Sequence, residues 1–91
     1  MTGVLIEHDP SPMKLEVLGV DGWPTRSDPV SVQAISYECT ETSLLIAGHA
    51  VITPEDGEPV EAREGDLVIC LGGITCVWDI KETVIRHYKD G

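Results

Sequence analysis

The residues able to carry chemistry are few and scattered along the chain. Three cysteines stand at positions 39, 70 and 76, three histidines at 8, 49 and 87, and 16 Asp and Glu against 6 Lys and Arg give a formal charge of -10. The cysteines form no CxxC pair and an odd number cannot all be tied into disulfides within one chain, so reduced thiols are expected. A nucleophilic thiol needs a nearby cation or helix terminus to lower its pKa. Cys76 has Ile74, Thr75, Val77 and Trp78 beside it in sequence, none charged, which favours a buried inert thiol. Cys70, inside the apolar run 67–71, is expected in the core. Cys39, near Glu38 and Glu41, is expected at the surface, its thiolate disfavoured by the acids. His87 lies between Arg86 and Tyr88 in the one stretch with a basic tendency. It reads either as an ordinary strand histidine or as a residue at a pocket mouth or subunit contact; His49 is expected to face water. The acidic surplus repels a phosphate backbone and no basic cluster offsets it, so nucleic acid is not an expected partner. Anionic substrates are disfavoured too, unless Arg26, Arg63 or Arg86 reaches a pocket.

These groups need a scaffold, and 91 residues allow one small domain, with a core thin enough for a partner subunit to supplement. No apolar run reaches the roughly 18–20 residues of a membrane span, and residues 1–13 lack the basic region and long apolar stretch of a signal peptide. A cytoplasmic protein without membrane association is expected. Val, Ile and Thr fill 25 positions against 11 for Ala and Leu, an inventory for sheet rather than helix. Nine Gly and six Pro punctuate it into short segments. Strands are expected over residues 3–7, 30–37, 43–53, 59–62, 67–71, 74–80 and 83–88. Residues 13–18 read either as a helical turn or as a further strand, because Met13, Leu15 and Val17 alternate but Leu18 does not. Gly48 marks a bend or bulge within its strand, Asp56-Gly57 a hairpin, and Asp21-Gly22-Trp23-Pro24 a turn. The expected fold class is all-β, an antiparallel sandwich or barrel.

The order Glu41, Gly48, Asp56-Gly57, Gly65-Asp66, Gly72-Gly73 resembles the two-motif signature of the cupin superfamily. Trp23-Pro24, the stretch from Thr53 to Gly73, Trp78 and the ending Arg86-His87-Tyr88 make the chain similar, over roughly residues 20–90, to the small single-domain cupins related to the ureidoglycine aminohydrolase cupin domain. The resemblance implies a small antiparallel double-stranded β-helix, the cupin or jelly-roll barrel, in one domain spanning 1–91, with 1–20 as N-terminal strand and arm and 21–90 as barrel core. It also implies that Ile35, Tyr37, Glu41, Ile74 and Cys76 face the cavity, with Trp78 continuing the last series.

Metal-binding cupins hold their ion with imidazoles and one carboxylate. Here the histidine positions carry Ile35, Tyr37 and Cys76, so no cofactor is favoured; a divalent metal on Tyr37, Glu41 and Cys76 is the alternative. Without metal, Glu41 inside an apolar barrel must be hydrogen-bonded, for example by Tyr37, or have a raised pKa, the profile of a general acid or base; at the strand's mouth it would simply be hydrated. Trp78 and Trp23 are two of four aromatic residues and are expected to fill core space. Three functions follow: binding of a small polar metabolite, neutral or cationic; an enzyme acting on a small amide or amine through Glu41 or a metal; or a structural or regulatory dimer plugged by Ile35, Ile74 and Trp78. A pocket of at least about 300 Å³ lined by Tyr37, Glu41 and Cys76 would favour the first two, and a filled barrel the third. A homodimer is expected, because Val30, Val32 and Ala34 face outward if Ile35 and Tyr37 face in. The competing cover for that face is the chain's own segment 13–18.

Overall fold

The structure, a computed structural model, describes residues 3–90. Two long strands organise it: β4 (Glu41–Pro54) and β7 (Thr75–Asp90), antiparallel from Glu41↔Asp90 to Pro54↔Cys76. Around them lie β1 (Val4–Glu7), β2 (Thr25–Asp28), β3 (Ser31–Ser36), β5 (Val60–Arg63) and β6 (Leu67–Cys70). β2 and β3 pair with the two halves of β7, β5 and β6 with the two halves of β4, and β1 adds to β6. The result is an antiparallel seven-stranded barrel, as the β-branched inventory and the cupin resemblance imply.

The two segments read as separate strands over 74–80 and 83–88 are one 16-residue strand. The bend that separates its halves is taken up opposite, where β4 shifts register around Ala47 and His49. Gly48 sits at this bulge with φ +100°, and a Cβ there would lie 2.3 Å from the Thr83 carbonyl oxygen, so only glycine fits.

Residues 12–18 form helix α1 (Pro12–Leu18) rather than a strand. Ser11 caps it by accepting the Lys14 N–H, Pro12 opens its first turn, and Gly19 closes it in the left-handed conformation. α1 does not cover the outer face of β3. It packs on the outside of the sheet at β4 and β6, where Leu15 and Trp23 meet a small cluster of Val20, Leu44 and Leu67. Val30 and Val32 therefore remain 64% and 70% exposed. No strand is expected over β2, because Thr-Arg-Ser-Asp carries no apolar pattern; its pairing with β7 makes it one.

The main core runs through the barrel from Val4, Leu45, Ala50 and Ile52 to Cys76, Trp78, Ile80 and Val84. No helix among the described residues is long and apolar enough to cross a membrane.

Candidate functional site

The site is built on the inner face of β4 and β7 at the end of the barrel where β4 starts. Cross-strand partners Glu41↔Asp90, Ser43↔Tyr88 and Leu45↔Arg86 place residues 41, 43, 86 and 88 on one face, since side chains alternate along each strand. Arg86 is 2% exposed. Its Nη1 donates to Glu41 Oε1 at 2.5 Å and to Ser43 Oγ at 2.6 Å. Its Nε lies 3.6 Å from Asp28 Oδ2 and has no hydrogen-bond partner among the described residues. The guanidinium carbon stands 5.1 Å from the centre of the Trp78 ring and 5.7 Å from that of Tyr88, within cation–π range of both. Asp28, delivered by β2, also accepts from Arg26 Nη2 at 3.0 Å.

Tyr37 follows β3, and two backbone hydrogen bonds pin it: its N–H donates to the Ile74 carbonyl at 2.9 Å, and its own carbonyl accepts from Gly73 at 2.6 Å. Gly73 holds φ +90° there, a conformation that suits glycine. The Tyr37 hydroxyl accepts from Trp78 Nε1 at 2.9 Å, and Tyr37, Cys70 and Cys76 share one buried core cluster. Burial pushes the Tyr37 phenol well above its ordinary range, with the Cys70 thiolate and Glu41 adding to the effect. Burial likewise pushes the Cys70 thiol up to about 12 and raises Cys76. Neither buried thiol has the lowered pKa that a nucleophile needs. Cys39 is exposed.

A cleft of about 270 Å³ opens beside this network, lined by Ile35, Tyr37 and Glu41, by the loop residues Ser36, Glu38 and Cys39, and by Asp90 at the end of β7. Ile74, Cys76 and Trp78 do not line it. Cys76 and Trp78 are 0% and 1% exposed and Ile74 packs against the core, so the barrel interior is filled below the cleft. The opening is a shallow mouth that falls short of the expected size and lacks Cys76 in its lining, so the interior meets the expectation for a plugged barrel and any ligand is confined to the mouth. A groove of about 420 Å³ by Pro12, Leu15, Glu16 and Asp21 lies outside the barrel.

Glu41 is neither in an apolar cage nor simply hydrated: its hydrogen-bond partners are Arg86 and Ser43 rather than Tyr37. Arg86, Ser43 and Asp28 are the residues sequence reasoning passed over as a set. A signal existed for Arg86: Val84, Arg86 and Tyr88 alternate, which puts an arginine in an inward series. His87 points the other way and contacts the Trp23 carbonyl at 3.1 Å. His49 contacts Glu61 at 3.2 Å.

The metal set that the cupin fold brings to mind does not fit these residues. Ile35 has no donor atom. The Tyr37 oxygen accepts from Trp78 and its phenol is kept protonated by burial, Cys76 is a core thiol whose pKa burial raises, and Glu41 Oε1 is held by a guanidinium. Among the described residues no three His, Cys, Asp or Glu side chains are grouped to hold an ion.

A barrel of this topology, with its inward residues converging at one mouth, is a cupin. The chain belongs to the EutQ-like cupin domain family, which matches residues 15–88. Among solved structures, a DUF861 family protein from Thermotoga maritima is 36% identical, with a TM-score of 0.92 and coverage of 97% of this chain and 99% of that one. The Clostridium difficile EutQ protein is 19% identical at TM-score 0.63, covering 70% of this chain and 46% of its own. A DUF1255 protein of unknown function from Acidithiobacillus ferrooxidans is also 19% identical, at TM-score 0.68, covering 69% and 60%. The last two share the fold alone. No curated protein matches.

Proposed function

We propose that the protein binds a small polar metabolite, neutral or cationic, in the cleft at the barrel mouth, with Glu41 as the acceptor that orients it. One observation carries this reading. Both hydrogen bonds to the Glu41 carboxylate fall on Oε1, so the side chain is held in place while Oε2 takes no hydrogen bond among the described residues. Glu38 and Asp90 line the same cleft, so its rim favours an amine or amide over an anion, and about 270 Å³ suits a ligand at or below the small end of the usual range.

The test is a thermal-shift and calorimetric panel of small primary amines, ureas and amides beside carboxylates and phosphates of equal size. Amines and amides are expected to raise Tm, and Glu38→Gln, which leaves the Arg86 contacts alone, to weaken the amines only. Preferential binding of anions, or no binding across the panel, overturns the reading. The resemblance to the ureidoglycine group extends the proposal to hydrolysis or lysis of a small amide or amine, with the free Glu41 oxygen as base. Mass spectrometry after prolonged incubation separates turnover from binding. The exposed valines on the outer face of β3 support the accompanying proposal of a homodimer, which would cover them.

A further inference from the structure

We propose that Arg86 is the resident cation of this barrel, a guanidinium that holds Glu41 in position for the cleft and leaves no electrostatic place for a metal ion beside it. A carboxylate and a guanidinium taken into a barrel must compensate each other, or each is left with a large desolvation penalty. Here the compensation is geometrically complete on one side: Nη1 meets Glu41 Oε1 at 2.5 Å and Ser43 Oγ at 2.6 Å. The guanidinium carbon lies over the Trp78 and Tyr88 rings, 5.1 and 5.7 Å from their centres, and Asp28 stands 3.6 Å from Nε. One nitrogen, Nη1, makes both hydrogen bonds, so what sets a guanidinium apart from an ammonium here is its delocalised charge between two aromatic rings and the reach of Nε toward Asp28.

The cradle is itself supported. Tyr37 accepts the Trp78 indole N–H at 2.9 Å, fixing the ring on which Arg86 lies. Tyr37, Trp78, Arg86 and Glu41 thus form one connected series, with Tyr37 a core hydrogen-bond acceptor and Cys76 a packed core residue instead of ligands. A divalent ion at Glu41 would find Oε1 already in use, a fixed positive charge beside it, and no group of three His, Cys, Asp or Glu side chains among the described residues to share it. Arg86 acts through Glu41 and is therefore a positioning residue. The inference does not depend on which ligand the cleft takes.

The test removes the side chain and returns the cation. In Arg86→Ala the missing piece has the shape of ethylguanidinium. At about 10 mM this ion is expected to raise the Tm of the variant by about 5 °C more than that of the wild type. Ethylammonium and ethylurea, which lack the delocalised planar cation and the charge respectively, are expected to restore less than about a third of that. Equal rescue by ethylammonium, or no selective rescue, overturns the proposal. In parallel, chelator-treated wild type titrated with Zn²⁺, Mn²⁺ and Ni²⁺ is expected to show no binding that Glu41→Gln abolishes; one equivalent bound at micromolar concentration and lost in that variant overturns it. If Arg86→Ala does not fold, Arg86→Lys gives the corresponding measurement: a melting point at least several degrees below wild type is expected, and an unchanged one refutes the need for a guanidinium. None of these readouts uses a cleft ligand, so an empty ligand panel would sink the binding proposal and leave this one standing.

Discussion

A double-mutant cycle on Glu41 and Arg86 tests the energetics of the barrel mouth directly. Arg86→Met removes the guanidinium and keeps much of its volume. It also leaves Glu41 without a counter-charge in a side chain that is only 14% exposed. Breaking a buried pair in this way costs about 3–5 kcal/mol, and for a domain of this size each kcal/mol lowers Tm by about 4–8 °C. Glu41→Gln is expected to be milder, about 1–3 kcal/mol, because an amide oxygen still accepts from Nη1 and Asp28 still faces Nε at 3.6 Å. The double variant leaves neither charge stranded at that contact, so it should be less destabilised than the sum of the two by about 2 kcal/mol. Urea unfolding followed by tryptophan fluorescence measures all four corners, since Trp78 lies against the guanidinium. Additivity within about 0.5 kcal/mol, or an Arg86→Met variant as stable as wild type, would show that the contact contributes nothing and refute the reasoning.

Two further outcomes follow from the buried network and the exposed strand face. The Cys70 thiol ionises near 9.0 when unfolded and keeps its proton to about 12 when folded. Its contribution to stability is therefore full below pH 9 and is lost as pH rises toward 12, a total of about 4 kcal/mol at about 1.4 kcal/mol per pH unit. Tyr37 and Cys76, also raised by burial, act in the same direction, so chemical unfolding at pH 7 and pH 10 should show a marked alkaline loss that a flat profile would contradict. Light scattering is expected to give a mass about twice the 9.9 kDa of the chain, and Val32→Glu to shift it to the monomer; a Val32→Glu dimer would place the interface elsewhere.

The strands were legible in the chain because their cause is local. β-branched residues alternating between turn glycines dictate pleated segments wherever they occur, and Asp56-Gly57 and Gly65-Asp66 turn where their own backbone preferences require. The glycine spacing carried the cupin resemblance for the same reason, as Gly48 and Gly73 stand where no other residue's backbone fits. Where local cause was weak the reading was open or silent: the capped turn at Pro12–Leu18 also alternates like a strand, and polar β2 becomes a strand only by pairing with β7. The site lay further out of reach. Glu41 and Arg86 are 45 positions apart, and nothing in either neighbourhood says that one will neutralise the other. That depended on the register between β4 and β7, including the shifts around Gly48: a one-residue slip would turn Arg86 to the opposite face of the sheet. The filling of the barrel was decided the same way. Trp78 and Cys76 face inward by alternation alone, but whether they line a cavity or close it depends on what reaches them from other strands, and Tyr37 does.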